Sequence, residues 1–112
     1  MSWWESQRVP DRPDLEKDLV RACHKSAQSM GAYLEVAGQR MAKGSGTTVG
    51  FPDAFLYCSG KCLPIEFKTE KGRLSPGQAL AQHKRMDQKV HTWVIRDVEA
   101  FEELINMCRR TA

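Results

Sequence analysis

The tightest constraint on the fold is a pair of short apolar segments joined by almost nothing. Asp53 to Cys58 (DAFLYC) and Leu63 to Lys68 (LPIEFK) are linked through Ser59-Gly60-Lys61. A connection this short, with a glycine in it, folds the second strand back on the first as an antiparallel hairpin. The flanking sequence then falls into place. Ala32 to Val36 reads as a preceding strand, and Val90 to Arg96 (VHTWVIR) as a later one. Ser75-Pro76-Gly77-Gln78 is a helix start, with Ser as cap, Pro in the first position and Gln three residues after the cap. That helix should run to about Lys89. Asp97 caps a last helix carrying Val98, Phe101, Leu104, Ile105 and Cys108 at helical spacing. A first helix from about Pro13 to Met30 stops at Gly31 and gathers Leu15, Leu19, Val20, Ala22, Cys23, Ala27 and Met30 on one side. A strand, a helix and a strand in succession imply a right-handed crossover and a parallel pair. The expected class is α/β, in the order α-β-β-β-α-β-α: a small mixed sheet flanked by helices.

With 112 residues the chain is expected to form one domain, over residues 14–112. Residues 1–13 read as an N-terminal arm, broken by Pro10 and Pro13, with Trp3 and Trp4 outside any periodic pattern. No apolar run approaches the ~18 residues of a membrane span. The start lacks the apolar stretch of a signal peptide, so the expected location is cytoplasmic, with the four cysteines as thiols. Cys58 and Cys62 bracket the hairpin turn but have no second ligand cluster, and are read as small buried residues rather than half of a zinc site. His83 and His91 are read as structural or surface residues.

Charge is unevenly placed. The net formal charge is only +3, yet residues 21–85 carry 10 basic and 4 acidic side chains, and both ends are slightly acidic. A basic middle attracts polyanions, of which nucleic acid is the usual one. Two of its four carboxylates fall at suggestive places. Asp53 opens one hairpin strand, after Pro52. Glu66 and Lys68 lie two apart on the other strand and so share a face, while Ile65 and Phe67 point to the opposite one. The hairpin can bring Asp53 level with Glu66. Two converging carboxylates form a hard-oxygen site suited to Mg²⁺ or Mn²⁺. Lys68 beside such an ion can hold or deprotonate a water. Glu16 falls inside the apolar arc of the first helix, an unusual place for a carboxylate. Gln78 has two readings, a site residue or simply the capping partner of Ser75. Arg40, Lys43, Lys71 and Arg73 flank the carboxylates in loops and are read as DNA phosphate contacts.

Gly50-Phe51-Pro52-Asp53, then twelve residues, Glu66-Phe67-Lys68, and then Gly72-Arg73-Leu74-Ser75-Pro76-Gly77-Gln78 resemble the virus-type replication-repair nuclease (VRR-NUC) domain of the PD-(D/E)xK nuclease superfamily. The resemblance covers about residues 14 to 100. It implies the restriction-endonuclease-like αβββαβ core. It also implies that Asp53, Glu66 and Glu16 serve the metal, that Lys68 assists the water, and that Gln78 completes the site. Small stand-alone members are typical of phages and bacteria, and the domain also ends larger DNA-repair nucleases. The expected activity is a Mg²⁺-dependent (or Mn²⁺-dependent) DNA endonuclease, a phosphodiester hydrolase leaving a 5′-phosphate and a 3′-hydroxyl. It is expected to act in a bacterial or phage-infected cell, as a homodimer selective for branched DNA such as four-way junctions. The alternative is a non-catalytic DNA-binding or assembly module that keeps the fold.

Overall fold

A computed structural model describes residues 16–37 and 50–111. These residues form three helices and four strands: α1 (Glu16–Ser29), β1 (Tyr33–Val36), β2 (Ala54–Cys58), β3 (Lys61–Phe67), α2 (Pro76–Asp87), β4 (Trp93–Ile95) and α3 (Val98–Arg110). The α/β class and the element order match the sequence reading. The proposed arm, Arg40 and Lys43 lie outside the described residues. No helix among the described residues is long and apolar enough to cross a membrane.

The strands form one sheet in the order β1-β2-β3-β4. The first two pairings are antiparallel, and β3–β4 is parallel, with α2 as the crossover. The hairpin turn is tighter than the expected Ser59-Gly60-Lys61: Cys58 pairs directly with Lys61, so only two residues turn. Ser59 (φ 52) and Gly60 (φ 79) both adopt positive φ, the geometry that matches the twist of the strands it joins. β3 therefore begins at Lys61, two residues earlier than expected. β4 is correspondingly shorter than Val90 to Arg96. The amide N–H groups of Gln88 and Val90 both donate to the Arg85 carbonyl, and Lys89 takes a φ of 67. Those residues are spent turning the chain off the helix. Pro64 sits one step before β4 joins at Ile65, where its missing N–H costs no ladder bond to that strand.

Strand alternation sorts the sheet into two faces. Leu34, Ala54, Leu56, Ile65, Phe67 and Ile95 are buried on one face. Leu19, Cys23 and Ala27 of α1 and Phe101, Leu104, Ile105 and Cys108 of α3 pack against it as a single core. Ser26 Oγ donates to Glu102 Oε2 at 2.9 Å, tying the two helices together. Asp97 caps α3 as expected, its Oδ1 accepting from the Ala100 N–H at 2.7 Å. The other face carries Tyr33, Glu35, Asp53, Phe55, Tyr57, Cys62, Pro64 and Glu66, with α2 over its Glu66 end. None of the side chains of α2 is buried. Cys62 falls on this second face and is exposed, which corrects its reading as a buried residue; Cys58 is buried. His83 and His91 are both exposed, as a surface reading requires.

Candidate active site

Asp53 and Glu66 meet because the register dictates it. Ala54 pairs with Ile65, so the residue before one and the residue after the other stand opposite on the second face. The backbone fixes Asp53 further: its Oδ2 accepts from the Phe67 N–H at 2.8 Å, and its carbonyl accepts from the Ala37 N–H at 2.8 Å. A carboxylate bound to a backbone amide at the end of a strand has few positions left to it.

Glu66 is fully buried. Burial first, then the neighbouring Asp53 carboxylate, push its carboxyl up to about 8; Lys68 and Arg85 pull the other way. Its Oε2 accepts from Gln78 Nε2 at 3.1 Å. Its Oε1 is buried without a protein hydrogen-bond partner. A buried, unpartnered carboxylate oxygen beside a second carboxylate is the donor set a hard cation satisfies. Among the described residues, no three of His, Cys, Asp and Glu gather into a cage that could hold an ion. Mg²⁺ does not require one: it is commonly held by one or two carboxylates, with water and substrate phosphate completing the shell.

Gln78 caps its helix and touches Glu66 at once. Its Oε1 accepts from the Ser75 N–H at 2.9 Å while the Ser75 hydroxyl accepts from the Gln78 N–H, so the capping box is complete. The same amide's Nε2 is left to donate to Glu66. The cap therefore aims the side chain at Glu66.

Lys68 follows β3, half-buried, with its N–H on the Ile95 carbonyl at 3.0 Å. Its charge acts on Glu66 and also on Glu16. Glu16 opens α1 as an exposed residue. Its carboxyl is raised by partial burial and then by the Asp53 charge, against an opposing pull from Lys68. Glu16 therefore sits within electrostatic reach of Asp53 and Lys68. Lys71 and Arg73 are exposed on the turn between β3 and α2. That turn is held from beneath by Arg96, whose Nη1 donates to the carbonyls of Thr69 at 2.8 Å and Gly72 at 2.6 Å.

Two residues of this region are not apparent from sequence, Arg85 and Gln82. Arg85 donates through Nε to Thr92 Oγ1 at 2.7 Å and through Nη1 to the Gly50 carbonyl at 3.3 Å. Its Nη2 and Gln82 Nε2 are buried without a protein hydrogen-bond partner. The available signal was spacing: Gln78, Gln82 and Arg85 lie four and then three residues apart, a polar stripe along one side of a helix.

No protein-family model matches the chain, and no curated protein matches it. Among solved structures, the chain is similar to a VRR_NUC domain at a TM-score of 0.59 and 20% identity, covering 81% of this chain and 94% of that one. The likeness is one of fold: the chain has a VRR-NUC-like fold, with helices on a mixed sheet.

Proposed function

We propose that the protein is a Mg²⁺-dependent DNA endonuclease, hydrolysing phosphodiester bonds at Asp53 and Glu66. The observation that carries this reading is the buried Glu66 carboxylate, one oxygen unpartnered, facing Asp53 at the end of a hairpin in a nuclease fold. Nothing about folding asks for two carboxylates there, since their mutual repulsion and the burial of one of them both cost stability. A divalent ion bound at the pair lowers the pKa of a water and polarises a phosphoryl oxygen. The chain's own residues do the rest. Asp53 is oriented by the Phe67 amide and Glu66 by Gln78. Lys68 would hold the attacking water by donating to it, the water's proton leaving to solvent, and Glu16 would serve the ion and its water from the start of α1. Lys71 and Arg73 meet the DNA phosphates, and Arg40 and Lys43 are assigned the same task from their sequence alone.

The finer reading is selectivity for branched DNA, four-way junctions first, by a homodimer. A two-fold dimer offers two sites in the arrangement that two symmetric nicks require. The aromatic surface supports an interface: Phe51 and Phe55 pack edge to face, and beside them Tyr33 and Tyr57 are stacked and exposed. The deciding experiment is incubation with junction, flap and linear duplex, with and without Mg²⁺ or Mn²⁺. Metal-dependent nicking, fastest on the junction, is expected, together with a dimeric mass by light scattering. DNA binding without cleavage of any substrate would instead assign a non-catalytic module.

A further inference from the structure

We infer that Arg85 is a positioning residue for the carboxylate pair: it fastens α2 and the segment leading into Asp53 to the sheet, so that Gln78, Asp53 and Glu66 meet. The task assigned to the pair rests on the nuclease reading above; the fastening itself does not.

The inference starts from a deficit. α2 buries no side chain, so apolar packing does not seat it on the sheet. Yet Gln78 on that helix must reach Glu66 on β3. Arg85 lies seven residues after Gln78, two turns along the same side of the helix. Its Nε is bonded to Thr92, which is 5% exposed and leads into β4. Its Nη1 is bonded to the carbonyl of Gly50, three residues before Asp53. One rigid guanidinium thus joins a helix, a strand entry and a loop end, a task its planar fork suits and a lysine ammonium suits poorly.

Gly50 supplies a second, independent sign of the same junction. It adopts φ +84, and a Cβ there would stand 2.5 Å from the Gly77 carbonyl oxygen and 2.6 Å from Ala81 Cβ. The loop end is pressed directly onto α2, and only glycine permits it. Arg85 holds that contact closed one turn further on. Arg85 forms no hydrogen bond with either carboxylate, so it acts through the elements it joins.

The test uses the full chain with Arg85→Met, Arg85→Lys and Thr92→Val, read in three ways. Amide hydrogen exchange should show protection at Phe67, whose N–H is held by Asp53, and at Ala79 to Gln82, falling by at least ~10-fold in Arg85→Met while the α3 amides keep theirs. Calorimetric titration with Mn²⁺ alone should show affinity lowered by about 10-fold or more, the usual effect of losing a group that orients a metal ligand. Cleavage should lose kcat with KM for DNA unchanged. The lysine and valine variants should show the same pattern more weakly. Wild-type exchange at Phe67 and α2 in Arg85→Met would overturn the inference. So would a raised KM with kcat intact, which would make Arg85 a substrate contact. If Arg85→Met loses protection in α3 as well, the lysine and valine variants decide by the same criteria. If wild type neither binds Mn²⁺ nor cuts DNA, the nuclease reading fails, and the exchange result alone decides the fastening.

Discussion

The two faces of the sheet are built on different principles. The face under α1 and α3 is closed by side chains such as Leu19, Cys23, Phe67, Phe101 and Ile105, none of which is solvent-accessible. The face under α2 is held by hydrogen bonds from Gln78 and Arg85, and it keeps three buried polar atoms without protein partners: Glu66 Oε1, Gln82 Nε2 and Arg85 Nη2. Packing is non-directional and tolerates approximate fit, whereas hydrogen bonds fix angles and distances. The apolar face therefore supplies stability, and the polar face spends part of it on holding a geometry.

The sharpest way to break that division is to truncate the core. Phe101→Ala should cost roughly 3–5 kcal/mol of stability, read as the shift of a denaturant midpoint. A cost under ~1 kcal/mol would mean that the apolar face is not where stability resides.

The reciprocal change lies on the other face. Asp53→Asn and Lys68→Ala should each slow cleavage by about 10²–10³-fold, or ~3–4 kcal/mol of barrier, with the fold kept in both and the melting temperature unchanged or raised in Asp53→Asn. Wild-type turnover in either variant, with the fold intact, would remove that residue from the site.

Glu66→Gln sharpens the contrast further, since it should abolish cleavage and stabilise the fold. The carboxyl ordinarily titrates near 4.5 and is raised to about 8 in the folded protein. Between those values the unfolded chain has released a proton that the folded chain still holds, so wild-type stability falls as pH rises. The advantage of the glutamine variant should be absent at the acid end, grow across that window and level off above about 8. The height of its plateau is set by the width of that window, at about 1.4 kcal/mol per pH unit. Melting curves against pH measure it, and a difference independent of pH would show that Glu66 ionises without penalty.

The smallest effect belongs to Glu16→Gln. A several-fold loss of activity is expected, with a stability change within the ~0.3–1 kcal/mol of a charge at a helix N-terminus. Unchanged activity with lowered stability would make Glu16 a helix-start residue only.

The apolar face was legible in the sequence, because periodicity reports burial directly. The helical spacing of Phe101, Leu104, Ile105 and Cys108 describes four buried residues, and the alternation of Ile65 with Glu66 describes the two faces of the sheet, though both side chains are buried. The polar face was legible only where a local motif carried it. Asp53, Glu66, Lys68 and Gln78 sit beside a turn or a cap whose geometry follows from a few adjacent residues. Arg85 and Arg96 were not legible. In sequence each is an ordinary basic residue; its role depends on a carbonyl at Gly50, or on those of Thr69 and Gly72, at least 24 positions away. The short β4 was missed because Val90 and His91 have strand-like neighbours, while the turn off α2 claims them first.

The two-residue turn at Ser59-Gly60 makes the number of residues between Asp53 and Glu66 a fixed quantity. Side chains along a strand alternate faces, so adding or removing one residue between Ala54 and Ile65 shifts the register by a step unless a bulge absorbs it. One carboxylate would then turn toward Leu19 and Phe101, and Phe67 would turn out to face α2. The spacing is thus under a constraint of parity that no choice of amino acid relaxes. Related chains should vary freely in the composition of this hairpin and change its length only in steps of two or at a bulge, because a single-residue insertion would disable the core and the site together.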